Sequence, residues 1–315
     1  MTPATWLIIN ADDLGFSPSV TDGILHAHTC GILTSTTLMT TMPDRDRAIE
    51  LAKATPSLGV GMHLCLTQGT PLTGCPHLRD KGGAGGGDFP RKIPTLAWRL
   101  AAGGRVARQE ALDEWAAQIE YALQRGLRPT HLDSHKHVHH LPWLQEVVCE
   151  LAQRYGIKAV RTAREMTVAG TGAGGGVGYR VLAHLGRKLA RRVEQQGLQT
   201  TDWFFGLAAT GRIDVGVWLA LIEQLKNGGK TGLEADGTPA LRGGRIAGVP
   251  PAVDFTVGEV MVHPGFSLGL TRTGSQRTRL IAERETEMAA LCAGEVRAAL
   301  KKAGIGLMHY GQWPT

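Results

Sequence analysis

Eight short runs of apolar and β-branched residues punctuate this chain, and amphipathic helical patterns separate most of them. They read "TWLIIN", "ILTSTTLMT", "LGVGMHLCL", "THLDSHKHV", "KAVRT", "WFFGLA", "GEVMVH" and "IGLMHY". Strands spaced by helices pair in parallel, because a parallel neighbour is reached only by a long crossover, whereas a hairpin needs a tight turn. The pattern predicts an α/β fold, a distorted (β/α) TIM-like barrel of about seven to eight parallel strands, in one domain over residues 1–315. With 43% hydrophobic residues in 315, the chain can bury a full core.

Helix punctuation agrees with this register. Ser17 before Pro18 reads as an N-cap and first-turn pair, Gly31 as the stop of that helix, and Pro142 as the opening of "PWLQEVVCELAQRYG". Two Gly- and Pro-rich stretches interrupt the rhythm. They are loop insertions near 67–104 and 228–257, and the first is expected to act as a partial lid.

Composition excludes several classes of function. The net charge of +6 is spread among interspersed acids and bases, which gives no nucleic-acid tract. Five cysteines without CxxC spacing suggest neither a disulfide framework nor a cysteine zinc site, so a reducing, cytoplasmic setting is expected. No run approaches the roughly 18 apolar residues of a membrane helix, and no signal-peptide pattern opens the chain.

In parallel barrels the reacting groups gather at the C-terminal ends of the strands. Here Asp12 and Asp13 end the first run, His63 the third and His263 the seventh, while Arg161 and Arg164 follow the fifth. Each has a plain reading alone, as a turn residue or a hydrogen-bonded core group. Their recurrence at one end of separate strands points to a shared site. Strand alternation would put Asp133, His135, His137 and His139 on one face. Imidazoles beside a carboxylate suit a borderline divalent cation such as zinc, whereas magnesium favours oxygen ligands; spacing does not choose among the three histidines.

The motifs "NADDLGFS", "GILTSTTLM", "GMHLCLTQGTPL", "THLDSHKHVH", "AVRTARE" and "MVHPGF" resemble, in order and over nearly the whole chain, those of the YdjC-like carbohydrate deacetylases. The segment "GRKLARRVEQQGLQTTDWFFGLAATG" is more similar to the hopanoid-biosynthesis (HpnK) branch than to the chitooligosaccharide deacetylases. The resemblance implies a hydrolase that removes the acetyl group from an N-acetylated sugar, either a glycolipid such as an N-acetylglucosaminyl hopanoid or a chitooligosaccharide. It implies one divalent metal ion, Zn or Mg, on Asp13, His63 and His135; Asp12 as general base; His263 as general acid; and Arg161 or Arg164 orienting the base or holding developing charge. A cation between the paired aspartates would relieve their repulsion, leaving Asp12 free to accept a proton. A lipid-linked sugar would bring peripheral contact with the inner membrane, for which the basic amphipathic segment "VLAHLGRKLARRVEQQ" is suited. A homodimer is compatible with these features.

Three other readings compete. "GFSLG" fits a G-x-S-x-G turn with Ser267 as nucleophile, Glu287 and His309 following in serine-hydrolase order, although Pro264 intervenes and little sheet remains. "GTGAGG" matches G-x-G-x-x-G without a buried strand before it. A sugar-binding barrel without catalysis is the third, and acetate release separates it from the enzyme.

Overall fold

In the computed structural model the described residues are 4–80, 87–168, 177–227, 255–272 and 277–313. The eight predicted runs all become parallel strands: β1 (Thr5–Leu14), β2 (Ser35–Leu38), β3 (Gly59–Leu64), β4 (His131–Ser134), β5 (Ala159–Val160), β6 (Trp203–Phe205), β7 (Thr256–Val262) and β8 (Gly306–Met308). Their order is β5-β4-β3-β2-β1-β7-β6, with β8 also on β1. The sheet curls until its ends approach: Met166 N donates to Phe204 O at 2.7 Å and Phe204 N to Arg164 O at 2.9 Å, joining the segment after β5 to β6. One edge of β1 is divided. Its first half pairs with β8 (Trp6 with Gly306) and its second half with β2 (Asn10 with Ser35), which distorts the barrel.

Helices α1 (Pro18–Thr29), α2 (Arg45–Lys53), α3 (Ile93–Gln124), α4 (Gln145–Arg154), α5 (Val177–Gln195), α6 (Val215–Lys226), α7 (Ala282–Cys292) and α8 (Gly294–Lys302) accompany the strands. Ser17 caps α1, accepting from Val20 N, with Pro18 in its first turn. The helix ends at Thr29, two residues before Gly31. Likewise α4 begins at Gln145; Pro142 sits in the turn ahead of it, among the four residues that separate the 3-10 turn His135–His140 from the helix. The insertion near 67–104 is part loop and part helix, since α3 starts at Ile93 and kinks at Gly104, where φ is 53°. The insertion near 228–257 and the "GTGAGG" stretch lie almost wholly outside the described residues.

Side chains alternate across each strand, so β1 serves two environments. Leu7, Ile9 and Ala11 join the large core between sheet and helices, while Ile8 packs inside the barrel with Ala159, Val257, Met308 and Tyr310. Above this apolar plug the interior turns polar, with Asn10, Asp12, His63, His131, Asp133, Arg161 and Glu259 all buried. Gly61 makes room for it, since a Cβ there would lie 2.4 Å from the His131 ring. On α5, Leu189 and Val193 are buried and Gly186 abuts the Ala163 backbone, so the amphipathic pattern serves barrel packing.

Candidate metal centre and active site

Adjacent residues of a regular strand face opposite ways, which would separate Asp12 from Asp13. The β1–β2 register breaks between Ala11 and Leu14, and Asp13 adopts φ 75°, in the left-handed region rarely used by non-glycine residues. This bulge turns both carboxylates into the barrel mouth. Such backbone costs on the order of 1–3 kcal/mol and persists where the surroundings over-determine it.

Asp13 is held from both sides. Arg284 Nη2 on α7 donates to Oδ2 at 2.5 Å, while Oδ1 lies 3.2 Å from His135 Nδ1 and 3.6 Å from His63 Nε2. One ligand atom from each of Asp13, His63 and His135 lies within 4.8 Å of the others, and buried Oδ1 has no hydrogen-bond partner. A carboxylate oxygen left unsatisfied between two imidazoles is the environment a divalent cation would complete, and the one-Asp, two-His set fits such an ion. A second cluster, Asp12, His63 and Asp133, overlaps it. Its atoms are already paired: His63 Nδ1 is 2.7 Å from Asp133 Oδ1, and Arg161 Nη1 2.5 Å from Asp133 Oδ2. Asp133 therefore fixes the His63 ring with Nε2 toward Asp13, and Thr37 Oγ1 supports both groups at 3.1 and 3.2 Å.

The strand-face expectation for the histidine string is corrected here. β4 ends at Ser134, and residues 135–140 form a 3-10 turn in which Lys136 and His137 have φ of 58° and 55°. Consecutive left-handed residues destroy the period-two alternation, so His135 alone of the three joins Asp13. His139 is bonded to Ser134 Oγ at 2.5 Å and Arg161 O at 3.0 Å, and His137 lines the cavity wall.

Arg161 and Arg164 also separate. Arg161 is fully buried and reaches three carboxylates: Asp12 Oδ1 at 2.8 Å, Asp133 Oδ2 at 2.5 Å and Glu259 Oε1 at 2.7 Å. Arg164 instead pairs with Glu194 on α5 and makes no ion pair with the aspartates. Burial would raise Asp12, but the Arg161 charge, aided by His63 and His263, more than offsets it and holds the carboxyl far below the usual range. Asn10 Nδ2 donates to Asp12 Oδ1 at 3.1 Å. Across the mouth, His263 Nε2 lies 4.0 Å from Asp12 Oδ2. Burial lowers His263 to about 4 against the pull of Asp12 and Asp13, so the ring is neutral at rest.

Several partners escaped sequence reasoning. Arg284 holds Asp13; Glu259 shares Arg161 and accepts from Tyr310; and Glu287 accepts from His263 N at 2.6 Å, with its Oε2 3.8 Å from His263 Nδ1. Burial raises Glu287 to about 7 despite its bonds from His263 and Ile213, so a proton is available beside the neutral imidazole. Arg284 and Glu259 lie in no local motif, and Glu287 reads from sequence only as a serine-hydrolase partner; the i, i+3 spacing of Arg284 and Glu287 would place them on one helical face. The serine-hydrolase arrangement does not assemble. Glu287 serves His263, Ser267 N bonds Glu285, and His309 packs against Gly59 at the start of β3, away from the strands' C-terminal ends.

A cavity of about 610 Å³ opens above Asp12, Asp13, His63, His135 and His263. Arg91, Lys92 and Ile93 from the first insertion contribute to its wall.

A distorted parallel barrel carrying buried acids and imidazoles at the C-terminal ends of its strands defines an α/β barrel with a candidate divalent-metal site. The chain belongs to the YdjC-like protein family, whose pattern it matches over residues 6–302. It is 45% identical over 161 residues to a carbohydrate deacetylase of Geobacillus stearothermophilus, covering 50% of this chain and 61% of that one. A carbohydrate deacetylase of Halalkalibacterium halodurans is 41% identical over 157 residues, covering 50% and 63%. These matched stretches thus span less than two thirds of either relative. A carbohydrate deacetylase of Brevibacillus brevis aligns over 307 residues at 29% identity, 97% of this chain and 98% of that one. Among solved structures, one from Enterococcus faecalis V583, described as a candidate cellobiose-phosphate cleavage protein, superposes with a TM-score of 0.69 at 26% identity, covering 99% of both chains.

Proposed function

We propose that this protein is a metal-dependent carbohydrate N-deacetylase that hydrolyses the amide of an N-acetylated sugar and releases acetate. The observation that carries the reading is the convergence of Asp13, His63 and His135 around an unsatisfied carboxylate oxygen, with Asp12 and His263 on either side. Carbohydrate deacetylases among the similar proteins support the substrate class. The resemblance to the hopanoid branch makes an N-acetylglucosaminyl lipid the first substrate to try and a chitooligosaccharide the second. Peripheral membrane contact follows only in the first case.

Asp13, His63 and His135 would hold a divalent cation, zinc or magnesium. When bound it supplies a Lewis acid for the amide carbonyl and acidifies the attacking water. Asp12 is the proton acceptor, kept ionised and oriented by Arg161 and Asn10. Because Arg161 is shared with Asp133 and Glu259, it does not neutralise Asp12 alone. His263 faces Asp12 across the mouth and hands a proton to the departing amine. A neutral His263 must first acquire that proton, and Glu287, which accepts from the His263 backbone N–H and lies 3.8 Å from the ring Nδ1, is a buried carboxyl placed to offer one.

The test is metal quantification of the purified protein together with acetate detection on lipid-linked and free N-acetylglucosaminides. Stoichiometric metal and acetate release are expected. A protein that takes up no divalent ion, or is fully loaded and releases acetate from none of them, would overturn the reading.

A further inference from the structure

The four histidines of the turn after β4 use their ring nitrogens differently. His135 joins Asp13 at the metal centre. His139 is bonded twice within the protein, to Ser134 Oγ and Arg161 O. So is His140, whose Nδ1 donates to His137 O at 3.0 Å while its Nε2 accepts from Ala163 N at 2.9 Å. His137 stands apart. It is only 6% exposed and lines the cavity, yet among the described residues neither of its ring nitrogens makes a hydrogen bond. Its Nδ1 is sealed from solvent, which leaves Nε2 as the open edge of the ring.

The backbone that presents this ring is strained and well supported. Lys136 and His137 are consecutive left-handed residues, with φ of 58° and 55°, and such conformations persist only where the surroundings over-determine them. The bond from His140 to His137 O pins the turn, and the His137 ring stands edge-on to Phe204 with centroids 5.8 Å apart. Phe204 in turn packs with Met261 and Leu207, both of which line the cavity. His137 is therefore a fixed polar group in an apolar stretch of wall, two residues from the metal-centre His135. A buried polar atom without a partner is costly, and binding pockets orient their ligands by a few such groups among apolar ones. A sugar ring matches both parts of this wall: its C–H groups suit the apolar side chains, and a hydroxyl pairs with an imidazole nitrogen as donor or acceptor.

We infer that His137 is a substrate-binding residue that hydrogen-bonds a hydroxyl of the sugar through Nε2 and so sets how the acetamido group meets the metal centre. The inference rests on the deacetylase reading for its substrate class.

Two substitutions separate the side chain from the backbone. His137→Gln carries an amide about as far as Nε2 but fits left-handed backbone poorly, whereas His137→Asn accepts that backbone readily and stops short, near the position of Nδ1. Acetate release from octyl N-acetyl-β-glucosaminide and its 3-, 4- and 6-deoxy analogues is measured on the full-length, metal-loaded proteins, with metal content and melting temperature alongside. Asparagine should lower kcat/KM about ten-fold or more with metal content unchanged, and glutamine should stay within about three-fold of the wild type. The wild type should reject one deoxy sugar about ten-fold, a preference that His137→Asn loses. Where neither variant folds, the wild-type series decides alone. Any other order of the two variants, or a wild type indifferent to every missing hydroxyl, overturns the inference. A wild type that releases acetate from none of these sugars sinks the deacetylase reading, and the same ratios are then taken from calorimetric dissociation constants, which decide the sugar contact by itself.

Discussion

Arg284 Nη2 donates to Asp13 Oδ2 at 2.5 Å, which leaves Oδ1 of the same carboxylate facing His63 and His135. The guanidinium is 1% exposed, so the pair is insulated from solvent screening. Replacing Arg284 by Met should free Asp13 to rotate and leave a buried carboxylate unpaired. We expect roughly ten- to a hundred-fold weaker divalent-metal affinity and a stability loss of about 3–5 kcal/mol. Competition with a chromogenic chelator and denaturant unfolding check both; unchanged metal affinity would remove Arg284 from the positioning of Asp13.

Asp12 and His63 should part company on mutation. Asp12→Asn preserves the shape and leaves Asp13, His63 and His135 intact, so metal content should persist while acetate release falls about 10²–10⁴-fold. His63→Ala removes a donor and should lose the ion itself. Elemental analysis beside the acetate assay distinguishes them, and an Asp12→Asn enzyme of normal turnover would sink the base assignment.

Asp133 acts on His63 from behind, at 2.7 Å from Nδ1. Asp133→Asn retains a polar partner but loses the charge that fixes the tautomer and strengthens the imidazole. A fall of about 10–100-fold in metal affinity is expected. His135, which makes no contact with Asp133 in this network, provides the reference: a His135→Ala variant should lose metal whether or not Asp133 is changed.

Ser267→Ala should leave acetate release within about two-fold of the parent, because Ser267 N bonds Glu285 and neither Glu287 nor His309 reaches the serine. Loss of activity in this variant would revive the serine-hydrolase reading.

Glu165 is predicted to control stability against pH. Burial raises it to about 8, although it accepts from the backbone N–H groups of Ala208, Leu207 and Gly206. Below about pH 4.5, the ordinary glutamate value, folded and unfolded chains are both protonated. Between there and about pH 8 the unfolded chain has lost its proton and the folded one keeps it, so stability falls with rising pH, by roughly 1.4 kcal/mol per unit. Above the folded value the contribution is constant. Glu165→Gln keeps an acceptor for the amides of Gly206 and Ala208, which share Oε1, gives up the bond from Leu207 N and removes the titration. The difference between parent and variant in urea unfolding should therefore grow by a few kcal/mol from pH 5 to pH 8, whereas a constant difference would show that Glu165 is ionised in the folded state. Glu259 and Glu287, both raised to about 7, tilt the two proteins alike and cancel in the comparison.

The sequence by itself determined the eight strands, their parallel sense and the end of the barrel where chemistry collects. Apolar β-branched runs spaced by helical periods leave few other solutions, and polar groups at strand ends cannot be buried without purpose. It also carried the side chains that converge, Asp12, Asp13, His63, His135, Arg161 and His263. Tertiary structure decided what local pattern could not encode. The bulge at Asp13 brought two adjacent acids to one side, against strand alternation. The left-handed pair Lys136 and His137 ended β4 early and left His135 alone of its string beside Asp13. Arg161 rather than Arg164 was turned inward, and Arg284, Glu287 and the cations at the mouth arrived from segments far apart in the chain. Strand periodicity is a property of neighbouring residues, readable from sequence, whereas the partners of a buried charge are chosen by whichever distant groups the closed barrel places within a few ångströms.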